Sequence, residues 1–184
     1  MDRFYKQNTQ ISYPAEGVIR IFKGKFPNLD LSELKPGYKV LDLGAGDGRH
    51  LAFFDKLGFD THGVEISEEI CNSLQQKLNT LDIRATVKEG MASHIPYSDD
   101  FFDAILAWNS CYYMESAKAD FQDHVREMAR PLKSGGLFVC SVPQPSSFIF
   151  KDADYTDTEK KYKTVKDDFF GLSYDWYVFV AQKN

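Results

Sequence analysis

The fold is decided by the stretch Val40-Leu41-Asp42-Leu43-Gly44-Ala45-Gly46-Asp47-Gly48-Arg49-His50. An apolar, strand-like run leads into three glycines at alternate positions, and a helix-like segment follows. Glycine accepts positive φ and, having no β-carbon, lets a ligand approach the backbone closely. We therefore expect all three glycines to face a ligand. A strand, glycine turn and helix in this order predict an α/β fold that binds a nucleotide-like cofactor.

The residue at position 49 argues against a dinucleotide cofactor. The dinucleotide fingerprint G-x-G-x-x-G needs a third glycine where its helix packs on the strand, and here that position is Arg49. The run instead has the form G-x-G-x-G after an acidic residue, Asp42. In this form it resembles the first motif of the class I S-adenosylmethionine-dependent methyltransferases, specifically the small-molecule enzymes of the methyltransferase 11/25 type.

Further segments resemble the later motifs of this family in the same order. Glu65 ends a predicted second strand about 20 residues after the glycine turn, where the fold places a ribose-binding carboxylate. Gly90-Met91-Ala92 follows a predicted third strand, and Pro131 to Val142 resembles the turn and fifth strand. The resemblance covers about Tyr38 to Pro143 and is specific because the segments keep their order and spacing.

The resemblance implies a Rossmann-like three-layer α/β/α sandwich, with a mostly parallel sheet and an antiparallel last strand. We expect a single methyltransferase domain over 1–184, with an N-terminal helical lid segment (1–36), a cofactor-binding core (37–143) and a shortened C-terminal region (144–184). The last strand is expected at 176–182. Between it and strand five, 155–161 could form a short helix and 162–166 a strand. Either the substrate cap is short, or part of the chain is missing.

Apolar spacing predicts the remaining elements. The third strand is expected over Ile83 to Glu89 and a buried fourth strand over Phe102 to Trp108. Ser67 is expected to cap the helix that follows Glu65. Two further helices should bury the residues that repeat at helical spacing: Ala15, Val18, Ile19 and Phe22 in one, and Phe121, Val125 and Met128 in the other.

The family resemblance implies S-adenosylmethionine as cofactor and S-adenosylhomocysteine as product. For Glu65, the alternative is a surface glutamate that caps the next helix. Met91 stands where the family usually has an aspartate, and its thioether is expected to pack on the adenine. The cofactor-binding residues implied are Asp42, Gly44, Ala45, Gly46, Arg49, His50, Glu65, Ile66, Gly90, Met91, Ala92, Trp108 and Asn109.

Four tyrosines are candidates for contact with the substrate. Tyr5 and Tyr13 lie in the segment that folds over the cofactor as a lid in similar enzymes, or they only anchor the chain end. Tyr112 and Tyr113 follow the fourth strand, where ligands bind in open α/β sheets, or they are core aromatics. His94 is the candidate general base because imidazole titrates near neutrality; an ordinary loop histidine is the alternative.

Composition narrows the partners and the compartment. The chain has 184 residues, of which 43% are hydrophobic and 27% charged, and a net charge of −5. This length and composition are typical of a single globular domain. It shows neither the basic stripe of a nucleic-acid-binding protein nor an apolar run of membrane-spanning length. Three widely spaced cysteines form no disulfide or zinc pattern. We expect a cytoplasmic protein with no metal; its oligomeric state is open.

These observations predict methyl transfer from S-adenosylmethionine to an oxygen or nitrogen of a small polar metabolite, for example a sugar or sugar-nucleotide intermediate. Because the sulfonium electrophile is already activated, the protein mainly has to position the reactants and exclude water. The alternative is a catalytically inactive cofactor-binding module that acts as a partner subunit. The methionine at position 91 and the short C-terminal region keep this alternative open.

Overall fold

A computed structural model describes residues 11–23, 34–112, 121–143 and 176–183. Within these ranges the strands are β1 (Lys39–Leu43), β2 (Asp60–Glu65), β3 (Thr86–Glu89), β4 (Phe102–Trp108), β5 (Leu132–Pro143) and β6 (Trp176–Gln182). The helices are α1 (Glu16–Phe22), α2 (Arg49–Lys56), α3 (Glu68–Thr80) and α4 (Phe121–Ala129).

The strands form one sheet in the order β3-β2-β1-β4-β5-β6. Neighbouring strands from β3 to β5 run parallel, and β6 pairs antiparallel with β5. The strand order reverses between β1 and β4, and ligands bind in open α/β sheets at such a reversal, beyond the carboxyl ends of the strands. The predicted α/β sandwich with an antiparallel last strand is confirmed.

Helices cover both faces of the sheet. On one face, α1 and α2 pack over β1, β4 and β5, with Ile21, Val40 and Phe54 fully buried. On the other face, α4 packs its Met128 against a core that includes Leu41 and Leu43. From Val40 to Leu43, β1 is buried on both faces and apolar except at Asp42, as expected of a central parallel strand.

Several predicted boundaries and faces need correction. The third strand begins at Thr86 rather than Ile83. In α1 the buried residues include Ile21 but not Ile19, and in α4 His124 is buried whereas Val125 is 39% exposed. His124 can turn inward because its ring nitrogen Nδ1 lies 3.1 Å from the carbonyl oxygen of Cys111, which satisfies a polar atom that would otherwise be costly to bury.

The fifth strand is longer than predicted, and the predicted C-terminal elements are only partly described. β5 already begins at Leu132 and pairs with β4 across a register shift between Phe102 and Ala104. The short helix and strand expected over 155–166 lie outside the described residues. None of the described helices is both long enough and apolar enough to cross a membrane.

Candidate functional site

The glycine turn lies at the carboxyl ends of β1 and β2. The backbone N–H groups of Gly44 and Ala45 both donate to the carbonyl oxygen of Val64, at 2.9 and 3.2 Å. These bonds hold the turn against the end of β2. The turn is thereby fixed beside Glu65, the last residue of that strand.

The three glycines of the turn have different surroundings. A β-carbon on Gly46, whose φ is +58°, would meet no atom of the described residues within 4 Å, so those residues leave this position open. A β-carbon on Gly44 would lie 2.5 Å from Cβ of Ser110, and one on Gly48 would lie 2.9 Å from Cδ1 of Leu74. Gly44 and Gly48 therefore also make room for neighbouring side chains, and contact of all three glycines with a ligand stays a prediction.

Glu65 turns its carboxylate over the open glycine. Its Oε1 accepts a hydrogen bond of 2.6 Å from the N–H of Gly46, and its Oε2 accepts one of 3.2 Å from the N–H of Ile66. Burial raises the pKa of Glu65, the two N–H donors lower it, and the nearby charge of Asp42 raises it. Ile66 beside it is 60% exposed. The helix-cap alternative for Glu65 is wrong, since the hydroxyl of Ser67 accepts from Ile70 and caps α3.

Asp42 is a buried carboxylate that faces His50 without accepting a hydrogen bond from it. It is 1% exposed, and neither of its oxygens has a hydrogen-bond partner among the described residues. Nδ1 of His50 lies 3.5 Å from Oδ2, without the geometry of a hydrogen bond. A buried carboxylate left in this state is costly. A cationic ligand group nearby would offset part of that cost.

These features fit S-adenosylmethionine. The cofactor carries cationic groups, which suit the buried carboxylate of Asp42, and ribose hydroxyls, which suit the acceptor oxygens of Glu65. Gly46 supplies the open backbone that a bulky ligand needs. The two carboxylates and the open backbone at Gly46 therefore match the groups of the cofactor.

His50 faces inward. Its Nε2 accepts the N–H of Ala15 at 3.4 Å, so a neutral ring carries its proton on Nδ1, facing Asp42. The predicted contact of His50 with the cofactor stays a prediction, and the structure directs its ring at Ala15 and Asp42. Arg49, half-buried at the start of α2, donates its backbone N–H to Asp47 at 3.3 Å.

The described part of the N-terminal segment packs on the glycine turn. The backbone N–H of Ser12 donates to Asp47 at 2.8 Å, and Ile11 packs against the cluster that contains Leu51. Burial acts to raise the pKa of Asp47, but the hydrogen bonds from Ser12 lower it and prevail. Tyr13 is 93% exposed, and Tyr5 lies outside the described residues. Its described residues therefore border the glycine turn, with Tyr13 exposed.

A tight turn follows β3. Gly90 donates its N–H to the carbonyl oxygen of Glu65 at 2.9 Å, and Met91 and His94 exchange backbone hydrogen bonds of 3.0 and 2.9 Å. A β-carbon on Gly90 would lie 2.6 Å from Cδ of Pro96, so the turn needs glycine there. Met91 is half-buried and Ala92 buried. The backbone thus brings the predicted adenine-contacting residues next to the end of β2.

The side chain of His94, the candidate general base, is exposed. Arg130 chiefly lowers the pKa of Glu127, and His94 contributes a smaller effect of the same sign. The structure thus places His94 near the charged pair Glu127 and Arg130, and it shows no contact of this histidine with Asp42 or Glu65. Among the described residues, no group of three or more potential ligands could hold a metal ion.

The end of β4 and the residues after it also lie beside the glycine turn. Trp108, the last residue of β4, is half-buried under α1, where a β-carbon on Gly17 would lie 2.7 Å from the indole ring. Asn109 has a positive φ of +58°. Its N–H donates to the hydroxyl oxygen of Ser141 at 2.9 Å, and this hydroxyl donates to Oδ1 of Asn109 at 2.5 Å. The hydroxyl of Ser110 donates to the carbonyl oxygen of Leu43.

The remaining substrate candidates are divided between the core and the undescribed residues. Tyr112 is half-buried and packs against the core on the α4 side of the sheet. Cys111 before it is fully buried. Tyr113 lies outside the described residues. Sequence reasoning missed Ser110 and Ser141, because a serine becomes significant only when the partner strand that brings it to the site is known.

Comparison with known proteins identifies the family. The family model "Methyltransferase domain" matches residues 40–136. Methyltransferase GfsG of Streptomyces halstedii is 32% identical over 72% of this chain and 46% of its own length. The ubiquinone/menaquinone biosynthesis C-methyltransferase UbiE of Vibrio campbellii is 33% identical over 70% of this chain and 50% of its own length.

A solved structure agrees with the sequence matches. The YcgJ protein of Bacillus subtilis superimposes with a TM-score of 0.54 at 26% identity, covering 61% of this chain and 47% of that protein. The chain thus spans about half the length of the curated relatives it matches. The glycine turn, the acidic residues around it and the sheet order all lie in the matched region, and the chain belongs to the class I S-adenosylmethionine-dependent methyltransferases.

Proposed function

We propose that this domain transfers a methyl group from S-adenosylmethionine to an oxygen or nitrogen of a small polar metabolite. The observation that carries the proposal is the arrangement around Gly46. An open glycine backbone, the carboxylate of Glu65 on its N–H and the buried carboxylate of Asp42 all border the same turn. This is a site for a cationic ligand that approaches the backbone closely.

Each residue then has a defined task. S-adenosylmethionine, when bound, supplies an electrophilic methyl group on a positively charged sulfur. Glu65 exchanges its hydrogen bond from Gly46 for the ribose hydroxyls, and Asp42 offsets the positive charge of the ligand. Met91 and Ile66 contribute apolar surface at the adenine end. The chain therefore acts mainly by orienting the ligands and excluding water.

The acceptor is proposed to be a small molecule. The net charge of −5 does not favour a polyanionic substrate. A sugar or sugar-nucleotide intermediate is one candidate class. The name of UbiE specifies transfer to carbon, so acceptor screens should include carbon acceptors as well. Tyr13 and Tyr112 stay candidates for substrate contact, and 1–36 stays the proposed lid beside a core at 37–143 and a short C-terminal region at 144–184.

The binding-only alternative gains no support. The relatives that match are named as methyltransferases, and the acidic residues of the turn are present in this chain. Met91 alone departs from the usual pattern, and its backbone forms an ordinary tight turn with His94. We therefore retain the enzymatic proposal.

Calorimetric titration with S-adenosylhomocysteine tests cofactor binding, on which the rest of the proposal depends. We expect binding by the full chain, at least tenfold weaker binding by Glu65→Gln, and no binding of NAD. Asp55→Asn is the matched control, because Asp55 bonds Arg84 at the surface and lies outside the site. Binding would justify a screen with labelled S-adenosylmethionine and polar acceptors. A folded chain that binds NAD and not S-adenosylhomocysteine would refute the proposal.

A further inference from the structure

The turn after β3, residues 90–94, is held at both of its ends. At its start, the backbone N–H of Gly90 donates to the carbonyl oxygen of Glu65 in β2 at 2.9 Å. Directly after its end, the backbone N–H and the carbonyl oxygen of Ile95 both bond side chains at the C-terminal end of α4. The proposed function uses Glu65 and assigns no task to the attachment at α4.

The attachment at α4 is built around Arg130, the residue that follows this helix. Its Nη2 donates to the carbonyl oxygen of Ile95 at 2.9 Å, and its Nη1 donates to that of Tyr97 at 2.8 Å. Nε and Nη2 donate to the two carboxylate oxygens of Glu127 at 2.9 and 2.7 Å. Nη1 also donates to Oδ1 of Asp99 at 2.8 Å. These five bonds match the five N–H donors of a guanidinium group.

Glu127 completes the attachment from the last turn of α4. Its Oε1 accepts the backbone N–H of Ile95 at 2.8 Å, and both of its oxygens accept from Arg130. Paired bonds between a carboxylate and a guanidinium are strong and fix the relative orientation of the two groups. The pair therefore bonds both backbone groups of Ile95. We call Glu127, Arg130 and their bonds to 95–97 the α4 clasp.

A shift of the segment that the α4 clasp holds would reach the turn after β3. Met91 and His94 exchange two backbone hydrogen bonds, so the residue before Ile95 is bonded directly to the residue proposed to contact the adenine. A β-carbon on Gly90 would lie 2.6 Å from Cδ of Pro96. The start of the turn thus packs closely on the segment that follows it, and the two have to move together.

We propose that Arg130 is a positioning residue for cofactor binding, which holds the turn after β3, through the α4 clasp, in the conformation that receives the adenine. The inference rests on the proposed function. Arg130 makes no contact with the ligand itself, and Met91 transmits its effect. The base is therefore received by a turn that two separate elements, β2 and α4, hold in place.

Replacement of Arg130 by lysine keeps the positive charge but leaves three N–H donors in place of five. The affinity of the full chain for S-adenosylhomocysteine is measured by calorimetry. In Arg130→Lys it should fall about tenfold, as it would if the turn were correctly placed in about a tenth of the molecules.

Arg126→Lys is the matched control. Arg126 lies in α4 and pairs with Asp123, three residues before it, as Arg130 does with Glu127. Its side chain is 70% exposed, and its described partners all belong to α4 itself. Its replacement should therefore leave the affinity for S-adenosylhomocysteine unchanged.

Hydrogen exchange separates a local effect on the turn from a general loss of stability. Amide exchange is followed by mass spectrometry under native conditions. In Arg130→Lys, exchange should become faster over 90–97 and stay unchanged in β1, because only the clasped segment opens more often.

A double-mutant cycle tests whether Arg130 acts through Met91. Met91→Ala removes the side chain that is proposed to pack on the adenine, and it should weaken binding by itself. If the turn is already displaced in Arg130→Lys, the added Met91→Ala change should reduce the affinity by a smaller factor than it does in the parent.

Glu127→Gln provides a second variant of the α4 clasp. Glutamine keeps one acceptor oxygen for the N–H of Ile95 but loses the paired bonds with Arg130. We expect a smaller loss of affinity, about threefold, as for the loss of one ordinary hydrogen bond. If Arg130→Lys does not fold, this variant takes its place in the exchange measurement and in the cycle.

Any of three results would overturn the inference. Unchanged affinity in the folded clasp variants would show that the α4 clasp does not set the turn. Equally faster exchange in β1 and over 90–97 would show a general structural role, and additive losses in the cycle would show that Arg130 does not act through Met91. If the unaltered chain does not bind S-adenosylhomocysteine, the proposed function itself fails; a parent that binds beside variants that bind equally well refutes only this inference.

Discussion

Replacement of Gly46 by alanine separates backbone strain from loss of the ligand site. Gly46 has a φ of +58°, and a β-carbon there would meet no atom within 4 Å among the described residues. The expected cost to the free protein is therefore that of the left-handed conformation of an L-residue, about 1–2 kcal/mol. For a chain of this length, this corresponds to a fall in melting temperature of about 2–4 °C for each kcal/mol.

Gly37 provides a matched control. Its φ is +88°, a β-carbon there also meets nothing within 4 Å, and it lies in the turn before β1, away from the site. Gly37→Ala and Gly46→Ala should therefore lose similar stability in urea titrations followed by circular dichroism. Only Gly46→Ala should also lose affinity for S-adenosylhomocysteine, by at least about tenfold, or 1.4 kcal/mol.

Gly48→Ala extends the comparison to a crowded position. Its β-carbon would lie 2.9 Å from Leu74 and 3.2 Å from Leu78. Overpacking of about 1–3 kcal/mol should then add to the strain of its +86° φ. If Gly46→Ala binds S-adenosylhomocysteine as tightly as the parent, no ligand approaches this glycine and the assignment of the turn is wrong. If it loses far more stability than Gly37→Ala, the space at Gly46 is not open.

Other substitutions test the charges and the packing around the turn. Burial raises the pKa of Glu65 above its ordinary value of 4.5, so the folded chain binds this proton more tightly than the unfolded chain. The free energy of unfolding of the parent should therefore fall, relative to Glu65→Gln, as pH rises from 4.5 through the raised pKa; parallel curves in urea titrations at stepped pH would contradict this. Asp42→Asn should keep or increase the stability of the free chain, since it removes a buried charge that accepts no hydrogen bond from the described residues, and should weaken S-adenosylhomocysteine binding at least tenfold. A large loss of stability in thermal melts would show that the contact of Asp42 with His50 outweighs the cost of burying the charge. Gly17→Ala should lower the free energy of unfolding by about 1–3 kcal/mol because the new methyl group would overlap Trp108. A melting temperature equal to that of the parent would show that α1 does not pack closely on this ring.

The sequence predicted the sheet well because its signals are local. Val40 to Leu43 is a short apolar run that ends in glycine, and such a run has few alternatives to a buried strand. Ser67 caps α3 as predicted, since capping depends on residues within one turn of the helix. The antiparallel last strand, by contrast, was predicted from the family resemblance and is confirmed by its pairing with β5.

The side-chain directions that the sequence did not predict share a different origin. Val125 fits the helical spacing of its neighbours, but His124 is the buried residue because a backbone carbonyl from outside the helix satisfies its ring. His50 follows the glycine turn, and its inward direction depends on Ala15, which is far away in sequence. In both cases a contact between distant segments decides which way a polar side chain turns. Periodicity within one element does not contain that information.

The glycine turn shows how one motif can meet several structural needs at once. Gly44 accommodates Ser110 after β4, Gly48 accommodates Leu74 of α3, and Gly46 is left open. Because two of the three glycines are also needed for packing, the pattern alone does not separate a chain that binds a ligand from one that only keeps the fold. The glycine motif is therefore evidence for the fold more than for binding. The stronger evidence for a ligand is the pair of features that packing among the described residues does not explain: the open backbone at Gly46 and the buried carboxylate of Asp42, whose oxygens accept no hydrogen bond there. A cationic ligand that approaches the backbone closely would account for both features.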